Sequence, residues 1–140
     1  MDFLTNRFVI ALLVPILLFL AGGIGKKLVR GGRDWNRKDW YLGVDASLAA
    51  MSAALINIFE ITRLKRLVPI QTDLYDRQQV ATAVFIAISF FLFLYVLGVH
   101  QNWETEDANV RAQKIWLLGI SNLIGLGLMF VFVLTVKGVE

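Results

Sequence analysis

Residues 80–99 read VATAVFIAISFFLFLYVLGV, and residues 115–136 read IWLLGISNLIGLGLMFVFVLTV. Neither stretch contains an Asp, Glu, Lys, Arg or His. A helix needs about 20 predominantly apolar residues to cross the hydrocarbon core of a bilayer. Both stretches are apolar all round, with no polar stripe at period 3.6, and such a helix is either buried in a large core or sits in lipid. A chain of 140 residues holds too little other protein to bury them, so lipid is the solvent that fits. Working outward, two further apolar segments cover about residues 8–25 and 40–61. The connections, about residues 26–39, 62–79 and 100–114, are too short for a soluble domain. Short connections join neighbouring helices antiparallel. The expected fold is all-α: a four-transmembrane-helix up-down-up-down bundle, an integral membrane protein forming a single membrane domain over residues 1–140.

Composition agrees. The chain is 57% hydrophobic and 18% charged, against roughly 45–50% and 25% in soluble domains. The absence of cysteine excludes disulfide scaffolds, Cys-ligated zinc, iron–sulfur clusters and thiol catalysis. No internal repeat or low-complexity tract interrupts the chain. The first segment resembles a cleaved signal peptide in length, with small residues Ala21, Gly22 and Gly23 at its end. Its flanking charges are wrong for one: Arg7 is balanced by Asp2, and Lys26, Lys27 and Arg30 follow the apolar run. A retained span is therefore expected, kinked at Pro15 and loosened at its end by Gly22, Gly23 and Gly25. Pro69 marks the second connection. Asp73 and Asp76 precede the third span, and Thr105, Glu106 and Asp107 precede the fourth, where caps and first-turn acids belong.

Orientation follows from Lys and Arg near span ends. The first connection carries six (Lys26, Lys27, Arg30, Arg33, Arg37 and Lys38) and the third adds Arg111 and Lys114. The opposite face carries Arg7, Arg63, Lys65, Arg66, Arg77 and Lys137. Eight against six, with the first span's flanks favouring the same sense, places the first and third connections inside and both termini outside an inner (plasma) membrane, in a bacterial cell. All four tryptophans (Trp35, Trp40, Trp103 and Trp116) fall near that face, at the headgroup level that indole rings prefer. The basic residues of the first connection, with Trp35 and Trp40, read as a surface for lipid headgroups and not for nucleic acid.

The second segment differs from the others. Between Gly43 and Ala54 it holds six alanines and glycines, and it carries Asp45, Ser52, Asn57 and Glu60. Ala46, Ala50 and Ala54 recur at i, i+4 and i+8, a face that lets helices approach closely in lipid. Gly119 and Gly125 of the fourth segment offer a matching face. Asp45, Ser52 and Glu60 form a loose polar stripe, with Glu60 about 60° around the helix from Asp45. A carboxylate at the bilayer centre costs on the order of 2.5–3.5 kcal/mol, so it normally faces water or a partner. Asn122 is expected to hydrogen-bond across to the second helix and to face this stripe. The third segment, rich in Phe85, Phe90, Phe91, Phe93 and Tyr95, reads as the outer, lipid-facing helix.

No catalytic constellation, metal-ligand spacing or phosphate-binding loop emerges, and no cofactor is expected. His100 stands without neighbouring ligands. Asp45 and Glu60 lie about 22 Å apart along one helix, too far to act on one atom, so the chain does not read as an enzyme. Small multidrug transporters share the four-span size but carry a glutamate in the first span, and no carboxylate lies between Phe3 and Lys26 here. The expectation is a homo-oligomeric channel or pore-forming component with acidic rings at Asp45 and Glu60. The alternative is an accessory or scaffold subunit of a larger membrane complex, with a membrane or cytosolic protein partner.

Overall fold

The structure, a computed structural model, describes residues 7–31, 34–67, 72–104 and 110–137. All regular structure among them is helical: α1 (Arg7–Arg30), a short 3-10 turn (Arg37–Trp40), α2 (Gly43–Leu67), α3 (Thr72–Glu104), α4 (Val110–Gln113), a π-helical segment (Lys114–Ser121) and α5 (Asn122–Lys137). The last three run together as one fourth span. Four helices are long and apolar enough to cross a membrane. Pro69, Arg33, Thr105, Glu106 and Asp107 lie outside the described residues.

Helix α1 runs unbroken through Pro15, although the proline has no N–H to offer the carbonyl of Ala11. Both Ala11 and Pro15 are buried, so that gap faces protein. The helix ends at Gly31, whose φ of 70° is the left-handed cap conformation that glycine adopts without strain. Gly22, Gly23 and Gly25 stay helical. Helix α3 has 33 residues, about 50 Å of helix, against a hydrocarbon core of about 30 Å. Its polar ends therefore stand beyond the apolar 80–99 stretch, with Asp73 in the first turn as expected.

Side-chain contacts set the direction of each neighbour. Along α2 and α3, Lys65 pairs with Asp76, Gln79 donates to Thr62 at 3.5 Å, and Asn57 donates to Thr82 at 3.3 Å. Between α3 and the fourth span, Gln113 Nε2 donates to the Trp103 carbonyl at 2.9 Å, while the Phe85 and Phe132 rings lie 5.6 Å apart. Rising numbers meet falling ones in each case, as an up-down-up-down bundle requires. The core is Ala46, Ala50 and Ala54 of α2 against Phe85, Leu128 and Met129. Helix α2 is central, packed on α3 and on α5, while α1 rests on α5 and the 3-10 turn.

The third helix is not wholly an outer one. Phe90, Phe91 and Tyr95 are exposed, as expected for lipid contact, but Phe85 is part of the core because it lies on the side of α3 that meets Ala50 and Ala54. The second span shares its degree of burial with the fourth, 33% of the most apolar stretch in each, against 17% in the first and 22% in the third.

Candidate functional site

Helix α2 is built with two opposed faces. The buried residues of α2, Gly43, Ala46, Ser47, Ala50, Ala54 and Ile61, all lie 100–180° around the helix from Asp45 by the 3.6-residue turn. Residues within about 60° of Asp45 are Ala49, Ser52, Ile56, Phe59, Glu60 and Arg63, and all are exposed. The small-residue face is inside and the polar stripe is outside.

The inner face works by close approach. A Cβ on Gly43 would stand 2.4 Å from the carbonyl carbon of Ser121, and one on Gly125 would stand 2.7 Å from the Ala46 Cβ. Only glycine at these two positions lets the helices touch backbone to side chain, the small-residue packing that membrane helices use. Of the expected packing residues, Ala46, Ala50, Ala54 and Gly125 take part. Gly119 does not: it is exposed, and an added Cβ would meet only the Lys114 carbonyl, at 3.6 Å. The π segment is why. A wider turn advances less than 100° per residue, so Ser121 and not Gly119 comes round to face α2. Ser121 Oγ reinforces the wide turn by donating to the Trp116 carbonyl five residues back, at 2.8 Å.

Asn122 is buried beside this crossing and uses both ends of its amide. Its Oδ1 accepts the Leu42 N–H at 2.9 Å and its Nδ2 donates to the Trp40 carbonyl at 2.7 Å. It joins the fourth span to the chain entering α2, as a glue residue should. It does not face Asp45, Ser52 or Glu60, because the backbone groups left free ahead of α2 are better partners than side chains on the far side of that helix.

The outer stripe holds the three carboxyl and hydroxyl groups singled out in the sequence. Asp45 is not alone there: Lys26 Nζ lies 2.7 Å from its Oδ2, with side-chain exposures of 39% and 58%. Lys26 also donates to the Tyr41 carbonyl at 2.8 Å. A lysine read from the sequence as a headgroup residue is thus the counter-ion of the intramembrane acid. Ser52 is exposed, and Glu60 is exposed with no ion pair among the described residues. Asn57 lies between the two faces, bonded to Thr82.

The end of the bundle near the first and third connections is organised by aromatic rings and one locked ion pair. Trp40 stacks on Trp35 with centroids 5.2 Å apart, Trp103 stacks on Trp116 at 6.3 Å, and the Lys27 ammonium lies 4.2 Å from the centre of the Trp35 ring. His100 meets the Tyr41 ring edge-on at 6.5 Å. Arg30 grips Asp39 with two bonds, Nε to Oδ1 at 3.0 Å and Nη2 to Oδ2 at 2.7 Å. Asp39 is only 3% exposed. It also accepts the Asn36 N–H at 2.8 Å, while Asn36 Oδ1 accepts the Lys38 N–H at 3.2 Å. Asn36 and Asp39 form a capping box. That three-residue spacing ahead of Trp40 was the available signal for this turn, and a sum of charges over the connection does not show it. Of the expected headgroup residues, Lys26 and Arg30 are therefore partly committed to protein partners, while Arg37 and Lys38 stand in the turn. No group of three potential metal ligands occurs among the described residues.

A comparison with family models finds no match, and comparisons with curated proteins and with solved structures find none either.

Proposed function

We propose that this chain is a non-enzymatic component of a bacterial inner membrane that assembles with copies of itself, and that the outer face of α2 contributes to a cation path between the copies. The observation that carries the reading is the exposure of Asp45, Ser52 and Glu60 on one side of a central membrane helix. Acids on a lipid-facing helix are costly, and they are normally placed against water or a partner. A second copy meeting this face would supply both. Asp45 near one end of the span and Glu60 near the other would form acidic rings that favour cations. In this arrangement the first and third connections lie inside and both termini outside.

The direct test is cation flux through liposomes holding the purified protein. The expected outcome is a cation-selective flux that Asp45→Ala with Glu60→Ala weakens and makes less selective. No wild-type flux, or flux indifferent to the double substitution, would contradict the channel.

The second reading is an accessory subunit whose stripe meets a different membrane protein. The Lys26–Asp45 ion pair favours it, since an acid neutralised within its own chain needs no water-filled path. Purification from mild detergent separates the two: a lone homo-oligomer supports the first, and a different stoichiometric partner supports the second.

A further inference from the structure

Helix α1 leans on α5 and the 3-10 turn but leaves a gap against α2. Three cavities of about 490, 180 and 160 Å³ adjoin along that gap. The first and second share Gly22, Leu42 and Asp45, and the second and third share Leu18, Ala49 and Met129. They form one groove, apolar along its walls throughout, with Lys26, Arg30 and Asp45 at its wide end. Ala49 and Ala53 are too small to bridge to α1, so the groove stays open to the surrounding lipid. From Lys26 to Val14, at its deep end, the helix rises about 18 Å, close to the roughly 15 Å of one leaflet's share of the hydrocarbon core.

The wide end is basic. Lys26 has three N–H donors and spends two, on Asp45 and the Tyr41 carbonyl. Arg30 binds Asp39 and the Asp34 carbonyl through Nε and Nη2, which leaves the Nη1 donors directed elsewhere. Lys27 stands beside them over the Trp35 ring. These cations sit at the depth that the stacked tryptophans mark as the headgroup level. An empty apolar groove in a bilayer forfeits dispersion contacts along its walls, and a chain of methylenes restores them.

We propose that the α1–α2 groove holds one acyl chain of an anionic phospholipid, with the lipid's phosphate taking the unspent donors of Lys26, Arg30 and Lys27. The groove shares Asp45 and Ala49 with the edge of the α2 stripe, and lipid binding there does not require a second copy. It makes the bound lipid the element that fills the space between α1 and α2.

Native mass spectrometry of the protein, exchanged between phosphatidylglycerol and phosphatidylcholine of equal chain length, tests the site. The wild-type chain should retain one phosphatidylglycerol per subunit in preference to phosphatidylcholine. Lys26→Gln and Lys27→Gln should each lower that preference roughly fivefold, the effect of one cation near an anionic headgroup. Ala53→Phe, which fills the groove without touching any charge, should abolish retention of either lipid while leaving the subunit count unchanged. Equal retention of the two lipids by the wild type would overturn the proposal. So would full retention by Ala53→Phe, or a subunit count that falls in Ala53→Phe while bound lipid does not, since a second copy would then be the occupant.

Discussion

Asn122 spends a whole amide on two backbone groups eighty residues away in sequence, the Trp40 carbonyl and the Leu42 N–H. Asn122→Leu keeps the volume and removes both bonds. The Leu42 N–H retains a second acceptor in the Trp40 carbonyl at 3.0 Å, so the expected loss stays within about 1–3 kcal/mol, the cost of under-satisfied buried polar groups. Thermal unfolding in detergent, followed by the fluorescence of the nearby tryptophans, reads it as a lowered midpoint. An unchanged midpoint would mean that the amide is not what ties the fourth span to α2. Two glycines make a sharper contrast at the same scale. Gly43→Ala drives a methyl group into the Ser121 backbone and should cost about 1–3 kcal/mol as overpacking does. Gly119→Ala meets nothing closer than 3.6 Å and should be neutral or stabilising by up to about 1 kcal/mol. The reverse order of the two melting points would place the fourth span in a different register against α2.

At the scale of elements, the first connection is less a loop than a clasp. Arg30 at the end of α1 and Asp39 in the 3-10 turn hold the two helices' ends together with the Asn36 capping box between them. Asp39→Asn preserves shape but loses the charge that both Arg30 nitrogens grip. Limited tryptic digestion should then cut faster at Arg37 and Lys38, with cleavage in the second connection unchanged. Equal rates at both places would show that the ion pair does not hold the turn. This clasp was hidden in the sequence because a basic run beside tryptophans is first a matter of net charge, and pairing depends on how far the chain turns back. The spans were plain because residues 80–99 and 115–136 satisfy lipid by composition alone. Helix α2 lies between these cases. Its small face and its polar stripe were both visible, but which one turned inward depended on Ser121 and Gly125, more than seventy positions further on. The π segment that presents Ser121 carries no local signature, and it moved Gly119 out of the interface to which residue type had assigned it.

For the whole molecule, the four spans form a bundle whose most unusual surface is on the outside. A bundle that served only to fill a membrane would turn Leu and Phe outward everywhere, as α1 does with Leu12, Leu17 and Leu18. Helix α2 sets Asp45, Ser52 and Glu60 among its outward Ile56 and Phe59, and it can do so at low cost only if another surface or water covers them. A chain without cysteine makes this directly measurable, because any introduced thiol is the only one. Ser52→Cys and Ala54→Cys lie two residues apart on opposite sides of the same helix, the first exposed and the second buried in its own core. Oxidative cross-linking of each variant in native membranes compares them with every other property of the chain shared. If copies meet through the outer face of α2, Ser52→Cys gives a disulfide-linked dimer and Ala54→Cys stays monomeric; a Ser52→Cys chain that stays monomeric under the same oxidant would contradict the account.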